Sequence, residues 1–162
     1  MVKIIIVDKN NQVIGSKERE KVDPQNDICR ISILWITNSK NQVLLAQRKM
    51  NKKYNPGKWG PAVGGTNEEG ETYESNIYKE AEEEIGLVSQ SFAQGPKFFL
   101  PMPNKRFCQS FSLNIDWSLD RFKIQEEEVE QIKWFNKDEL FKGLKENPDN
   151  FTYTVRNLAK IN

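Results

Sequence analysis

The chain of 162 residues is long enough for one compact domain with its own core. A formal net charge of +1 provides no global field for nucleic acid or a membrane surface, and 29% charged with 37% hydrophobic residues is the balance of a soluble globular protein. No run is apolar enough over a sufficient length to span a membrane, and residues 2–7 are too short for a secretory signal, so the expected location is cytoplasmic.

In chain order, residues 3–8 read as a strand, 9–12 as a turn, and 13–17 as a strand pairing back in a hairpin. Residues 21–27 are polar, contain Pro24, and read as a loop. Alternation of Ile31, Ile33, Trp35 and Thr37 marks a strand over 29–37. A turn at 38–41 and a strand over 43–48 predict a second hairpin with it. Residues 49–58 form a basic loop with Pro56-Gly57, and 59–63 is a short extended segment that Gly64-Gly65 should break. The strongest helix covers 71–85, where Tyr73, Ile77, Ala81 and Ile85 recur every fourth residue and Gly86 supplies a stop. Strands follow over 97–100, 107–115 and 128–135, then helices over 137–144 and 149–161, the last beginning after Pro148. The pattern predicts a single α+β domain over 1–162, with hairpin and loop in 1–27, the core in 28–145 and a C-terminal helix in 146–162. Cys29 and Cys108 fall in strands and read as buried free thiols.

The absence of histidine excludes histidine-ligated zinc, Ser-His-Asp triads and Cys-His dyads. Two cysteines cannot complete a four-cysteine site, so any metal here is a hard cation on oxygen ligands, with magnesium or manganese favoured. The helix over 71–85 provides such oxygens. With Glu80 set at zero on a wheel of about 100° per residue, the apolar stripe covers about 20° to 140°, Glu84 falls near 40°, Glu83 near −60° and Glu82 near 200°. Glu80, Glu83 and Glu84 therefore gather at the edge of the buried face, and Glu82 is a solvated bystander. Eight glutamates and one lysine lie between Glu68 and Glu84. Like charges at these spacings repel, and a divalent cation would relieve the repulsion. Gly64-Gly65 would let a ligand approach the backbone, so that a carbonyl completes the coordination. An acidic run of this kind is otherwise a solvated helix face.

Gly65, Glu71 and the run Lys79-Glu80-Ala81-Glu82-Glu83-Glu84-Ile85-Gly86-Leu87 have the spacing that resembles the Nudix box, with lysine at position 79 where that family usually has arginine. The strand ending in Gln47-Arg48, the Pro56-Gly57-Lys58-Trp59 segment, Glu128-Val129 and Trp134-Phe135 extend the likeness over roughly residues 28–145. The first strands resemble the isopentenyl-diphosphate-isomerase-like branch. The resemblance implies a Nudix-like α/β/α sandwich with a mixed central sheet, and hydrolysis of a phosphoanhydride bond in a nucleoside diphosphate derivative or other small diphosphate. It implies that Glu83, Glu84, Glu80 and the Gly64 carbonyl hold magnesium or manganese, with Glu80 acting as ligand or general base. It also implies that Glu71 pairs with Lys79 to support the helix, although lysine lacks the two-pronged contact of arginine.

Many members use a carboxylate outside the box. Glu127 or Glu128 is that candidate here, or else part of a solvated acidic run. Of the basic loop residues, Arg48 and Lys53 match positions that contact diphosphate in the isomerase branch; the alternative is an ordinary basic surface. Trp59 and Tyr54 could stack on a base or pack the core. Isopentenyl-diphosphate isomerisation is disfavoured, since residues 61–65 contain no cysteine, histidine is absent, and 104–107 reads Asn-Lys-Arg-Phe where carboxylates would be expected; a nucleotide-binding module of the same fold without turnover is the other alternative, and the intact carboxylates argue against it. The expected partner is a small diphosphate, with no nucleic acid and no membrane. The N-terminal hairpin offers a surface for a homodimer.

Overall fold

A run buried on both faces cannot alternate cleanly between polar and apolar residues, and β3 (Ile28–Thr37) is such a run. Ile31, Ile33 and Trp35 face one layer, while Leu34 and Ile36 face the other. A computed structural model describes all residues from Met1 to Asn162 and arranges them around this strand. Before it come β1 (Lys3–Val7) and β2 (Val13–Glu18), and after it β4 (Gln42–Arg48), β5 (Trp59–Pro61) and β6 (Val63–Thr66). Helix α1 (Tyr73–Ile85) is followed by β7 (Ala93–Leu100), β8 (Arg106–Asn114), β9 (Val129–Asn136), α2 (Lys137–Glu146) and α3 (Tyr153–Ile161). No helix is long and apolar enough to cross a membrane.

The layers are those of an α+β sandwich with a mixed sheet. Ile77, Ala81 and Ile85 of α1 pack on Leu34, Ile36 and Leu44. On the opposite face, Leu140 of α2 and Val155 and Leu158 of α3 pack on Ile31, Ile33, Trp35 and Leu45. The hairpin expected between β3 and β4 is realised only at its base, Thr37↔Val43. Beyond it the strands part. β3 runs parallel to β8 from Cys29↔Arg106 to Thr37↔Asn114 and antiparallel to β6 from Ile31↔Thr66 to Leu34↔Val63. β4 instead pairs with β9 and β5. Each strand satisfies its backbone with distant partners, and the wedge left between them is open to solvent.

Gly64 and Gly65 do not break the extended segment; both lie inside β6, and the interruption is at Ala62. Glycine is tolerated there because neighbouring groups press on the backbone from outside the strand. Helix α1 starts at Tyr73, two residues later than expected. Thr72 is its N-cap, accepting from the Ser75 amide at 3.0 Å while Ser75 Oγ accepts from the Thr72 amide at 2.9 Å, and Glu71 is left outside the helix. The helix ends as the sequence suggests. Gly86 sits at φ 67°, its N–H bonds the Glu82 carbonyl at 3.0 Å and the Leu87 N–H bonds the Ala81 carbonyl at 3.0 Å. Gly86→Ala would place a methyl group 3.0 Å from Lys123 Cβ in a left-handed conformation, and we expect a loss of about 1 kcal/mol in a denaturant titration. An unchanged midpoint would show that the turn accepts a Cβ.

The expected helix over 149–161 is divided. A 3-10 turn at Pro148–Asn150 precedes Thr152, which caps α3 and donates its amide to the Trp59 carbonyl at 2.9 Å. This tie holds the start of α3 over β5. Cys29 and Cys108 are buried free thiols, and burial pushes Cys108 up to about 12.

Candidate functional site

Glu80 and Glu84 are one helical turn apart on α1, on the side that meets β6. The Glu80 carboxylate lies directly on Gly65, where any Cβ would overlap it. Glu84 Oε2 accepts from the Gly64 amide at 3.3 Å. In an extended strand the N–H and C=O of one residue face the same edge, so the Gly64 carbonyl also faces Glu84. The two carboxyls are close enough that each shifts the titration of the other.

Burial drives the electrostatics of this pair. Glu84 is raised well above the ordinary carboxylate value, first by desolvation and then by the charge of Glu80; the Gly64 amide offsets only part of this. Glu80 is raised for the same first reason, with Glu83 and Glu71 adding to it and Lys79 opposing. No lysine or arginine pairs with Glu84, and Lys79 reaches Glu80 only at 3.8 Å. A largely buried, oxygen-only pair with a backbone carbonyl beside it, and with Lys79 in reach of Glu80 alone, suits a hard divalent cation that would supply the charge Glu84 lacks.

Glu83 does not join this pair. It is exposed, as Glu82 is, and no three carboxylates converge into a preformed metal cluster. The expected separation of Glu83 from Glu82 by helical phase is therefore not seen in burial. Glu80 borders the stripe and Glu84 falls within it, whereas Glu83 lies about 60° outside Glu80. It remains close enough that its charge raises both Glu80 and Glu84.

The expected pairing of Glu71 with Lys79 is present at 2.5 Å. Glu71 Oε2 also accepts from the Glu68 amide at 2.8 Å and from Asn76 Nδ2 at 2.9 Å. Burial pushes the Glu71 carboxyl up, but the bonds from Lys79, Glu68 and Asn76 outweigh it and its pKa falls below the ordinary value. Burial likewise opposes the charge on Lys79, and Glu71, Glu68 and Glu80 outweigh it to raise the ammonium. Lysine thus binds as a point charge among three carboxylates, where arginine would fork. Asn76, buried in the α1 face beside Ile77, is a supporting residue that the apolar periodicity conceals.

The wedge between β3 and β4 opens as a cleft of about 820 Å³. Glu84, Gly64 and Gly65 lie on its wall with Arg48, Glu127 and Glu128. Arg48 Nε donates to the Tyr54 carbonyl at 2.9 Å. Glu128 is exposed and ion-paired to Lys52 at 2.5 Å. Lys53 does not line the cleft; it is exposed, with its ammonium 5.3 Å from the Tyr54 ring. Trp59 packs edge-on against Phe135 at 4.8 Å and belongs to the core, whereas Tyr54 stands at the mouth of the cleft. Arg19, Arg106, Thr152 and Thr154 also line it. Sequence periodicity gives them no mark, because topology alone brings them together.

The same layers occur in solved structures. The crystal structure of DR0079 from Deinococcus radiodurans superposes with a TM-score of 0.84 at 21% identity, covering 98% of both chains. The MutT protein from Methanosarcina mazei Go1 gives 0.67 at 19% identity, covering 83% of this chain and 91% of that one. These likenesses establish the fold. Residues 29–155 match the family model for the NUDIX domain, and the chain belongs to the Nudix family. It is 27% identical over 136 residues to an uncharacterized Nudix hydrolase of Yersinia pestis, covering 83% of this chain and 73% of that protein. It is 30% identical over 154 residues to a prenyl-diphosphate phosphatase of Methanosarcina mazei, covering 93% of this chain and 88% of that protein. The chain is accordingly an enzyme of the Nudix hydrolase type.

Proposed function

We propose that this enzyme cleaves a phosphoanhydride bond in a small diphosphate and depends on magnesium or manganese. The observation that carries this reading is the couple Glu80 and Glu84 set against Gly64 and Gly65 beside an open cleft, with no cation paired to Glu84. Glu80, Glu84 and the Gly64 carbonyl are the ligands, and Glu83 joins them by rotation of its exposed side chain. The bound cation would neutralise phosphate charge and lower the pKa of an attacking water.

The other roles belong to the chain itself. Glu71 and Lys79 clamp the start of α1 and hold Glu80 in register with Gly65. Arg48, which also lines the cleft, meets the diphosphate as a hydrogen-bonding cation. Glu128, or Glu127 beside it, takes the proton from water; its present partner Lys52 would have to release it. Glu80 is the other carboxylate placed for that task. The diphosphate named for the Methanosarcina mazei relative supports the substrate class. The N-terminal hairpin supports kinship with the isopentenyl-diphosphate-isomerase-like branch, but the chain carries neither histidine nor a cysteine within 61–65, which favours water as the nucleophile.

A phosphate-release assay over a panel of diphosphates, with magnesium, manganese or chelator, tests this reading. Hydrolysis should require the metal and fall at least about tenfold in Glu83→Gln. Metal-independent release, or activity untouched by both Glu83→Gln and Glu84→Gln, would remove the assignment from this site.

A further inference from the structure

Arg106 is more than nine-tenths buried, lines the cleft, and has no carboxylate partner. Its Nη1 donates to Asn104 Oδ1 at 2.8 Å and to the Asn104 carbonyl at 3.4 Å, and its Nη2 donates to Thr154 Oγ1 at 3.1 Å. Every one of these acceptors is neutral. Guanidinium has five N–H donors, so Nε–H and one Nη2–H remain without a protein acceptor. Burial opposes its charge, and the nearest groups acting on it are the thiols Cys108 and Cys29, both of which burial holds in the neutral form. A buried cation without a counterion is costly, and a neutral side chain could join Asn104 to Thr154 just as well. Arg19, whose only acid contact is Glu68 at 4.0 Å, lines the same end of the cleft.

The sheet places this end relative to the carboxylates. Arg106 is level with Cys29, and Gly64 is level with Ile33, on opposite sides of β3. Four residues along a strand span about 13 Å and two strand spacings about 10 Å, so the two backbones lie about 16 Å apart. Hydrogen bonds to Asn104 and Thr154 hold the guanidinium at this end of the cleft.

We infer that Arg106 is a second anion-binding site, and that the substrate carries a phosphate or carboxylate at the end remote from its hydrolysed diphosphate. The inference rests on the cleft being the substrate site. It narrows the substrate class to molecules charged at both ends and disfavours a diphosphate whose tail is purely hydrocarbon.

Two experiments test it. First, the melting temperature is followed with inorganic phosphate in chelator, where the carboxylate end repels the probe. Wild type and Thr154→Val should both be protected, since the variant loses a hydrogen bond and keeps the cation; Arg106→Gln should not. No protection of wild type, or equal protection of Arg106→Gln, overturns the site. Second, hexyl diphosphate is compared with its analogues bearing a terminal carboxylate or a terminal phosphate. In wild type one or both charged analogues should have a KM at least about tenfold lower, and which one does so identifies the anion. The preference should vanish in Arg106→Gln. Equal or better use of the methyl-ended compound overturns the inference, and this comparison needs only wild type if the variant does not fold. If none of the three is hydrolysed while phosphate protection follows Arg106, the proposed small-diphosphate substrate fails and the anion site stands.

Discussion

Glu84→Gln should lower diphosphate hydrolysis at least about a hundredfold while raising the melting temperature of the metal-free protein. The two effects have one origin. Glu84 is held in a nearly buried position against Glu80, with a single backbone amide for support. As an anion it is unfavourable there, and as a cation ligand it is required. Glutamine keeps the shape, still accepts from Gly64, and can donate to the Glu80 carboxylate. Each kcal/mol of relieved repulsion corresponds to about 2–4 °C in a domain of this size. Added magnesium should then stabilise wild type and leave the variant unmoved, because the ligand set is broken.

The sign of the pH dependence follows from the raised carboxyl. The folded state binds the Glu84 proton more tightly than the unfolded state does, so stability falls as pH rises from the ordinary glutamate value through the raised one. Below that window wild type and Glu84→Gln should melt together. Above it the variant should be ahead in chelator, and magnesium should close the gap by replacing the proton. Melting curves at pH 4 and pH 8, with and without magnesium, check this. A variant that melts below wild type at pH 8 in chelator would mean that the carboxylate supports the fold and would sink the argument.

The parts of the site that could be read from sequence are those governed by short-range geometry. Helical phase depends on 3.6 residues per turn and little else, so the stripe of Ile77, Ala81 and Ile85 and the edge position of Glu80 and Glu84 follow directly. Gly86 at the helix end is equally local. Strand partners are not local. Nothing between Ile28 and Arg48 shows that β3 will leave β4 for β8 and β6, yet that separation creates the cleft. Lys53 and Arg48 look equivalent as cations near a turn, and only the path of the loop turns one outward and the other onto the cleft wall. Arg106 could not be recognised from sequence, because its significance is the lack of an acid in three dimensions.

Gly65→Ala should leave the fold nearly unchanged and still cost about tenfold to a hundredfold in activity. The backbone of β6 is extended at Gly65, so alanine meets no conformational penalty, and the stability change should stay within about 1 kcal/mol of zero. The three atoms nearest a new methyl group are Cδ, Oε1 and Cγ of Glu80, the outer part of a flexible side chain that can swing aside at little cost. Swinging aside is what function cannot tolerate. Glu80 would leave its contact with Glu84 and turn toward Lys79, already 3.8 Å away and ready to hold it in the wrong place. Displacement of a reacting or ligating group by about 1 Å is enough for a loss of this size. Melting temperature and kcat measured side by side decide the matter. A parallel fall in both would make Gly65 a folding residue, whereas unimpaired kcat would show that Glu80 need not lie on the glycine backbone to act.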